Sequence, residues 1–251
     1  MREIQEKLNL CKGTDAYDVH LNQICLASEP QPFFGVLHPE LLPYVGENYE
    51  KTRILLVGES HYVKAASEED WLALDWYHKP LPTEGKYPFN KDGATDWFDT
   101  REVLVRYMKG EGGRGHTIFS RPAKVLLSEL KVAETPQDIR YFFSYFSFMN
   151  FFQRPALEAG KTINDTNDDR AAADEILLQV MDILQPSAVV FLSKKAYHAF
   201  TAQPHFAARI ESVSHPTCHW WYRKRNDGLC AADDFRRIIC AVLYPGELEN
   251  L

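Results

Sequence analysis

Cysteine is sparse and poorly placed for chemistry. The five residues, Cys11, Cys25, Cys218, Cys230 and Cys240, are odd in number and form no Cys-x-x-Cys pair. No metal or iron–sulfur pattern follows from them, no cofactor is implied, and reduced thiols in a cytoplasm are the simplest reading. No apolar run approaches membrane-spanning length, so no membrane partner is expected. The opening Met-Arg-Glu-Ile-Gln-Glu-Lys is charged where a secretory leader needs an apolar core, which again predicts a cytoplasmic location. Positive charge is not in excess either. The formal net charge is −7, which excludes a polycation that coats nucleic acid but leaves room for a local basic groove. The glycine cluster Gly110-Glu-Gly-Gly-Arg-Gly115 lacks a Gly-Lys-Ser/Thr ending and follows no strand, so it reads as a surface loop rather than a phosphate loop. No internal repeat is visible.

What is present organises around Arg53-Ile-Leu-Leu-Val-Gly-Glu-Ser-His-Tyr62. Ile54 to Val57 form a short apolar run, the pattern of a parallel strand buried on both faces. Gly58 is expected to let the chain turn sharply. Glu59, Ser60, His61 and Tyr62 then stand at the strand's carboxyl end, where open α/β sheets bind ligands.

The chain of 251 residues suits one α/β domain, with a helical extension over about 1–45 and a loop insertion over about 63–95. Leu8, Leu10, Val19, Leu21, Ile24 and Leu26 give the extension an apolar face. The insertion is punctuated by Pro80, Pro82, Gly85, Pro88 and Gly93, and its Trp71 and Trp76 suggest a short helix. Asp99 or Thr100 caps a helix running to Met108, and Ala123, Leu126, Leu127 and Leu130 mark the next. The aromatic run Tyr141 to Phe148 predicts a second strand ending at Met149-Asn150. A periodic helix from Ala173 to Leu184 is closed by Pro186, a third strand spans Ala188 to Leu192, and a fourth spans Arg209 to Val213. Phe235, Ile238, Ile239, Val242 and Leu243 carry the final helix. Strands separated by helices predict a three-layer α/β/α sandwich around a mainly parallel four-stranded sheet.

All carboxyl ends of a parallel sheet share one edge, so Gly58–Tyr62, Asn150 and Ser214-His215-Pro216-Thr217 are expected to converge. In this order the pieces resemble the uracil-DNA glycosylase superfamily. Gly58-Glu59-Ser60 resembles its first motif, and Asn150 resembles its pyrimidine-reading Asn. His215-Pro216-Thr217 resembles its second motif, with Thr in place of Ser. Leu184-Gln185-Pro186, the strand Ala188 to Leu192, and Lys195-Ala196-Tyr197 resemble the intervening run, with Ser193 in place of a Gly. The resemblance covers about residues 50 to 243. Ser60 stands where the best-known branch has its water-activating Asp, and His61 where most branches have Pro.

The resemblance implies a DNA partner and base excision from a flipped nucleotide. Glu59 and His215 become the candidate catalytic residues. Glu59 would orient water or stabilise a cationic sugar, and His215 would donate to the departing base. Gly58, Ser60, His61, Tyr62, Asn150, Pro216 and Thr217 form the expected base-binding set. In Cys218-His-Trp-Trp-Tyr-Arg-Lys-Arg225, aromatics stand beside cations, which suits stacking on bases and contact with phosphates. His219, Trp220, Arg223, Lys224 and Arg225, with Lys194 at a helix start, are the expected nucleic-acid contacts. The alternative for this loop is that Trp220 and Trp221 pack on the core and the cations are merely solvated. Two other functions stay open: a non-catalytic nucleotide-binding or interaction module on the same fold, and a serine hydrolase using Ser60.

Overall fold

The computed structural model describes residues 12–26, 41–62, 99–111, 116–129, 135–156 and 161–244. Among them the α-helices are α1 (Lys12–Leu26), α2 (Thr100–Met108), α3 (Thr117–Glu129), α4 (Pro136–Phe143), α5 (Asn167–Leu184), α6 (Lys194–Ala199) and α7 (Ala231–Leu243). The strands are β1 (Tyr44–Val45), β2 (Ile54–Gly58), β3 (Phe146–Asn150), β4 (Ala188–Phe191) and β5 (Arg209–Ser212). The 63–95 insertion, with Trp71 and Trp76, lies outside the described residues, as does most of the segment before Leu41.

The five strands form one sheet in the order β1-β3-β2-β4-β5. The four longer strands are parallel, and β1 adds antiparallel to β3. The expectation of four strands is therefore corrected to five in a mixed sheet. Two residues give no alternation to read, so β1 is invisible in the sequence. It is held by burial of Tyr44 and Val45 and by the Ser147 hydroxyl, which donates to the Tyr44 carbonyl at 2.6 Å.

Strand β2 lies at the centre, and its alternation builds two cores. Leu55 and Val57 pack with Leu21 and Ile24 of α1 and with Ile176, Leu177 and Val180 of α5. Ile54 and Leu56 pack on the other face with Leu104 of α2, Phe119 of α3, Phe143 of α4 and Phe235 of α7. Helices thus cover both faces, as a continuously apolar strand requires.

The aromatic run is not one strand. Thr135 and Asp138 form a capping box, Pro136 sits in the first turn, and α4 runs to Phe143 before β3 begins at Phe146. Aromatic side chains suit a buried helix face as well as a strand, and the Thr-Pro-x-Asp start signal decides for the helix here. The other helix limits follow their signals. Asp99 accepts from the Glu102 amide to cap α2 at 2.7 Å. Gln185 adopts a left-handed conformation (φ 47°) that ends α5 just before Pro186.

Successive parallel strands fill first one side of β2 (β3), then the other (β4, β5), so the carboxyl ends of β2 and β4 flank the point where strand order reverses. Beside this point lies a buried ion pair. Arg154 donates through Nε and Nη2 to the two carboxylate oxygens of Asp169 at 2.9 and 2.7 Å, and through Nη2 to the Asn164 carbonyl at 2.9 Å. Asp169 is fully buried and also forms the capping box of α5 with Thr166. Replacing Asp169 with Ala removes the cap and leaves the Arg154 charge buried without its carboxylate. Urea unfolding is expected to show a loss of about 3–5 kcal/mol, and a loss under about 1 kcal/mol would contradict the role given to this pair.

Candidate functional site

Strands β2 and β3 do not stop together abruptly at the sheet edge. Their continuations run on side by side, with the Phe151 amide donating to the Gly58 carbonyl, Phe152 to Glu59, and Ala156 to His61. Gly58 has no positive φ; it is the last residue of β2 and pairs with Asn150. The expectation of a sharp turn there is corrected. What Gly58 provides is the absence of a side chain. A Cβ at this position would collide with Asn150 Oδ1 and meet Ile118 Cδ1 and Phe148 Cζ at 3.1 Å. The Asn150 carboxamide therefore lies directly against the end of β2, between an isoleucine and a phenylalanine.

Glu59 is almost fully buried, and three donors fix its carboxylate. Oε2 accepts from the Ser193 hydroxyl at 2.7 Å. Oε1 accepts from the Thr162 hydroxyl and from the Ile163 amide, the latter at 3.3 Å. Ser193 also accepts from the Ala196 amide at 3.3 Å, capping α6, so its one proton is left for Glu59. The carboxylate thereby joins the ends of β2 and β4 to the segment that precedes α5. That segment is braced in turn. Lys195 of α6 pairs with Asp165 at 2.8 Å and donates to the Ile163 carbonyl, while Arg154 holds Asn164.

His215 follows β5 and is half-buried. The Thr217 amide, which can only donate, points at His215 Nδ1 at 3.2 Å, and the Thr217 hydroxyl lies 2.7 Å from the same atom. Nδ1 is therefore the acceptor, and the neutral ring carries its proton on Nε2. Burial lowers the His215 pKa, and the nearby Glu59 charge opposes this without cancelling it. Tyr62, partly buried, has its phenol pKa raised, first by burial and then by the same Glu59 charge. Glu59, Tyr62 and His215 thus share one electrostatic neighbourhood.

The remaining expected base-binding residues divide. His61 is buried, and its Nε2 lies 2.9 Å from Thr100 Oγ1, which ties the β2 end to the start of α2. Ser60 is 7% exposed, and its hydroxyl has no hydrogen-bond partner. No described residue takes its proton, as a serine nucleophile requires. Pro216 is buried, and Arg121 of α3 donates to its carbonyl and, at 3.2 Å, to that of Cys218. Arg121 also lies over the Tyr222 ring, 5.3 Å from its centre, so one guanidinium fixes the loop that follows His215.

In that loop the two tryptophans part. Trp221 is fully buried against Phe235, 6.0 Å between ring centres. Trp220 is 45% exposed, with His219 beside it and the Arg223 guanidinium 4.7 Å above its ring. Lys224 is exposed. Arg225 is engaged by Asp234 at 2.5 Å and by Asp227 at 3.3 Å. Lys194 donates to the Ser212 carbonyl and hydroxyl at 2.8 and 2.9 Å. The structure thus gathers Trp220, Arg223 and Lys224 as an exposed aromatic–cation set and ties Arg225 and Lys194 to other partners.

Thr162, Ser193 and Arg121 escape sequence reading as site residues. Ser193 stands at a helix-start position, which signals its cap and not its carboxylate. Thr162 lies in a polar segment with no pattern. Among the described residues no His, Cys, Asp and Glu cluster could hold a metal ion, and no helix is long and apolar enough to cross a membrane. No protein-family model matches the chain, and no curated protein matches it significantly.

Two outcomes follow. Gly58→Ala is expected to cost about 1–3 kcal/mol by overpacking, with part of that recovered when Asn150→Ser is added; equal costs in both backgrounds would contradict the close approach. The lowered His215 pKa has a definite sign. Around the ordinary value of 6.5 the unfolded state takes up the proton first, so stability falls as pH drops through this range, until the folded His215 itself protonates. Urea midpoints at neutral and mildly acidic pH should therefore fall less in His215→Gln than in the wild type, and equal slopes would remove the assignment.

Proposed function

We propose that the carboxyl ends of β2, β3 and β5 together bind a nucleobase, and that the protein is a uracil-DNA-glycosylase-like enzyme that excises a base from DNA. The observation that carries this reading is the neutral His215. With Nδ1 taken by Thr217, its Nε2–H is a fixed, uncharged donor in the same neighbourhood as the buried Glu59. A base leaving its sugar carries developing negative charge, and a preorganised donor stabilises such charge without reorganising. Asn150 offers both a donor and an acceptor, which matches the edge of a uracil-like ring. Glu59 accepts three hydrogen bonds already, so it better suits stabilising the positive sugar than withdrawing a proton from water. Trp220, with Arg223 above it, suits stacking on a neighbouring base.

The same saturation of Glu59 favours a second reading, in which the carboxylate is a structural tie and the strand ends bind a base without cutting.

Labelled oligonucleotides carrying uracil, hypoxanthine or xanthine, single- and double-stranded, with abasic sites cleaved by alkali, separate the two readings. The enzyme reading predicts release by the wild type and a loss of about a hundredfold in both Glu59→Gln and His215→Ala, with circular dichroism unchanged. Binding without release supports the second reading. Neither binding nor release at low salt contradicts both.

A further inference from the structure

Among the described residues, strand β5 is the last in the sheet and pairs only with β4. The amides of Arg209 and Val213 donate inward to Ser187 and Phe191, so in the two-residue alternation of a strand the Ile210 and Ser212 backbone groups face outward. Lys194 covers one of these, the Ser212 carbonyl. Among the described residues nothing else pairs with this edge. Beside it the flank of α7 that carries Asp234, Arg237, Ile238 and Ala241 leaves a groove of about 750 Å³.

The groove's charge is opposite to that of the whole chain. Lys194, Arg209, Arg236 and Arg237 line it, against the carboxylates of Glu211 and Asp234. Asp234 is neutralised from outside by Arg225 at 2.5 Å. Arg209 pairs with Glu211 at 3.0 Å and Arg236 with Asp233 at 3.3 Å. Arg237 is exposed on the rim and makes no ion pair among the described residues. The floor is apolar, through Leu229, Ile238 and Ala241. An open edge supplies backbone donors and acceptors, the groove beside it takes alternate side chains, and the cations select for acid.

We propose that this edge is a docking site for an acidic, extended peptide segment of a partner protein, which adds as a further strand to β5 with its carboxylates toward Arg237 and its neighbours. This does not depend on what the strand-end residues Glu59, Asn150 and His215 bind. A nucleic-acid strand would use the cations but not the outward Ile210 and Ser212 groups, so the edge favours a peptide.

The probe is a fluorescein-labelled peptide of alternating glutamate and valine, about eight residues long to span β5. Fluorescence anisotropy is expected to show saturable binding, with amide shifts at Ile210 and Ser212 in ¹⁵N spectra. Arg237→Glu, an exposed change, should weaken binding roughly fivefold or more, the size of one exposed ion pair. A peptide with proline in place of valine keeps the charge but loses the strand donors, and it should not bind. Ile210→Pro removes an outward donor without touching the ladder to β4 and should act likewise. Equal binding of the proline peptide, no binding of the first peptide, or its displacement by a thymidine oligonucleotide with no shift at Ile210 and Ser212 would each overturn the proposal.

Discussion

The carboxylate of Glu59 is the interaction on which the strand-end region depends. It sits where the order of the sheet reverses, and its three donors come from segments that the sheet alone would leave independent. Ser193 brings in the end of β4 and the start of α6. Thr162 and Ile163 bring in the segment ahead of α5. A buried carboxylate is costly unless hydrogen-bonded, and here each donor that lowers this cost also fixes a segment beside the strand ends.

The donors are themselves held. Arg154 and Asp169 pin the residues just after Thr162 to the start of α5, and Lys195 ties the same segment to α6. A buried pair of this kind contributes little net stability compared with apolar packing, yet removing either partner is expensive. What it provides is one geometry. At other strand ends, Gly58 and Asn150 fit by steric contact, while Thr217 sets the tautomer of His215. The strand-end region thus holds its polar groups in fixed positions, which suits recognition of a small planar ligand more than adaptation to many.

The sequence made some of this readable. Strand β2 is a continuous apolar run because both its faces are covered, and a run of that kind cannot hide. The placing of the four parallel strand ends on one edge followed from parallel topology, and it leaves the Glu59 charge close enough to act on His215. The aromatic run misled because Phe and Tyr bury equally well on α4 and on β3; the Thr135–Asp138 box was the signal that separated them. Strand β1 had no pattern to show, being two residues long. The donors to Glu59 were out of reach for a different reason. Thr162 and Ser193 lie 103 and 134 residues from it in sequence, and no local rule connects a hydroxyl to a carboxylate so distant.

The most direct measurement is a ¹⁵N-amide map of the protein titrated with a uracil-containing trinucleotide. If the strand ends form the base site, shifts will appear together at Glu59, Asn150, Ser193 and His215, because all four stand at the carboxyl ends of neighbouring parallel strands. Shifts confined to other surfaces, or none at these positions at the highest ligand concentration, would contradict the assignment of these strand ends as the functional site.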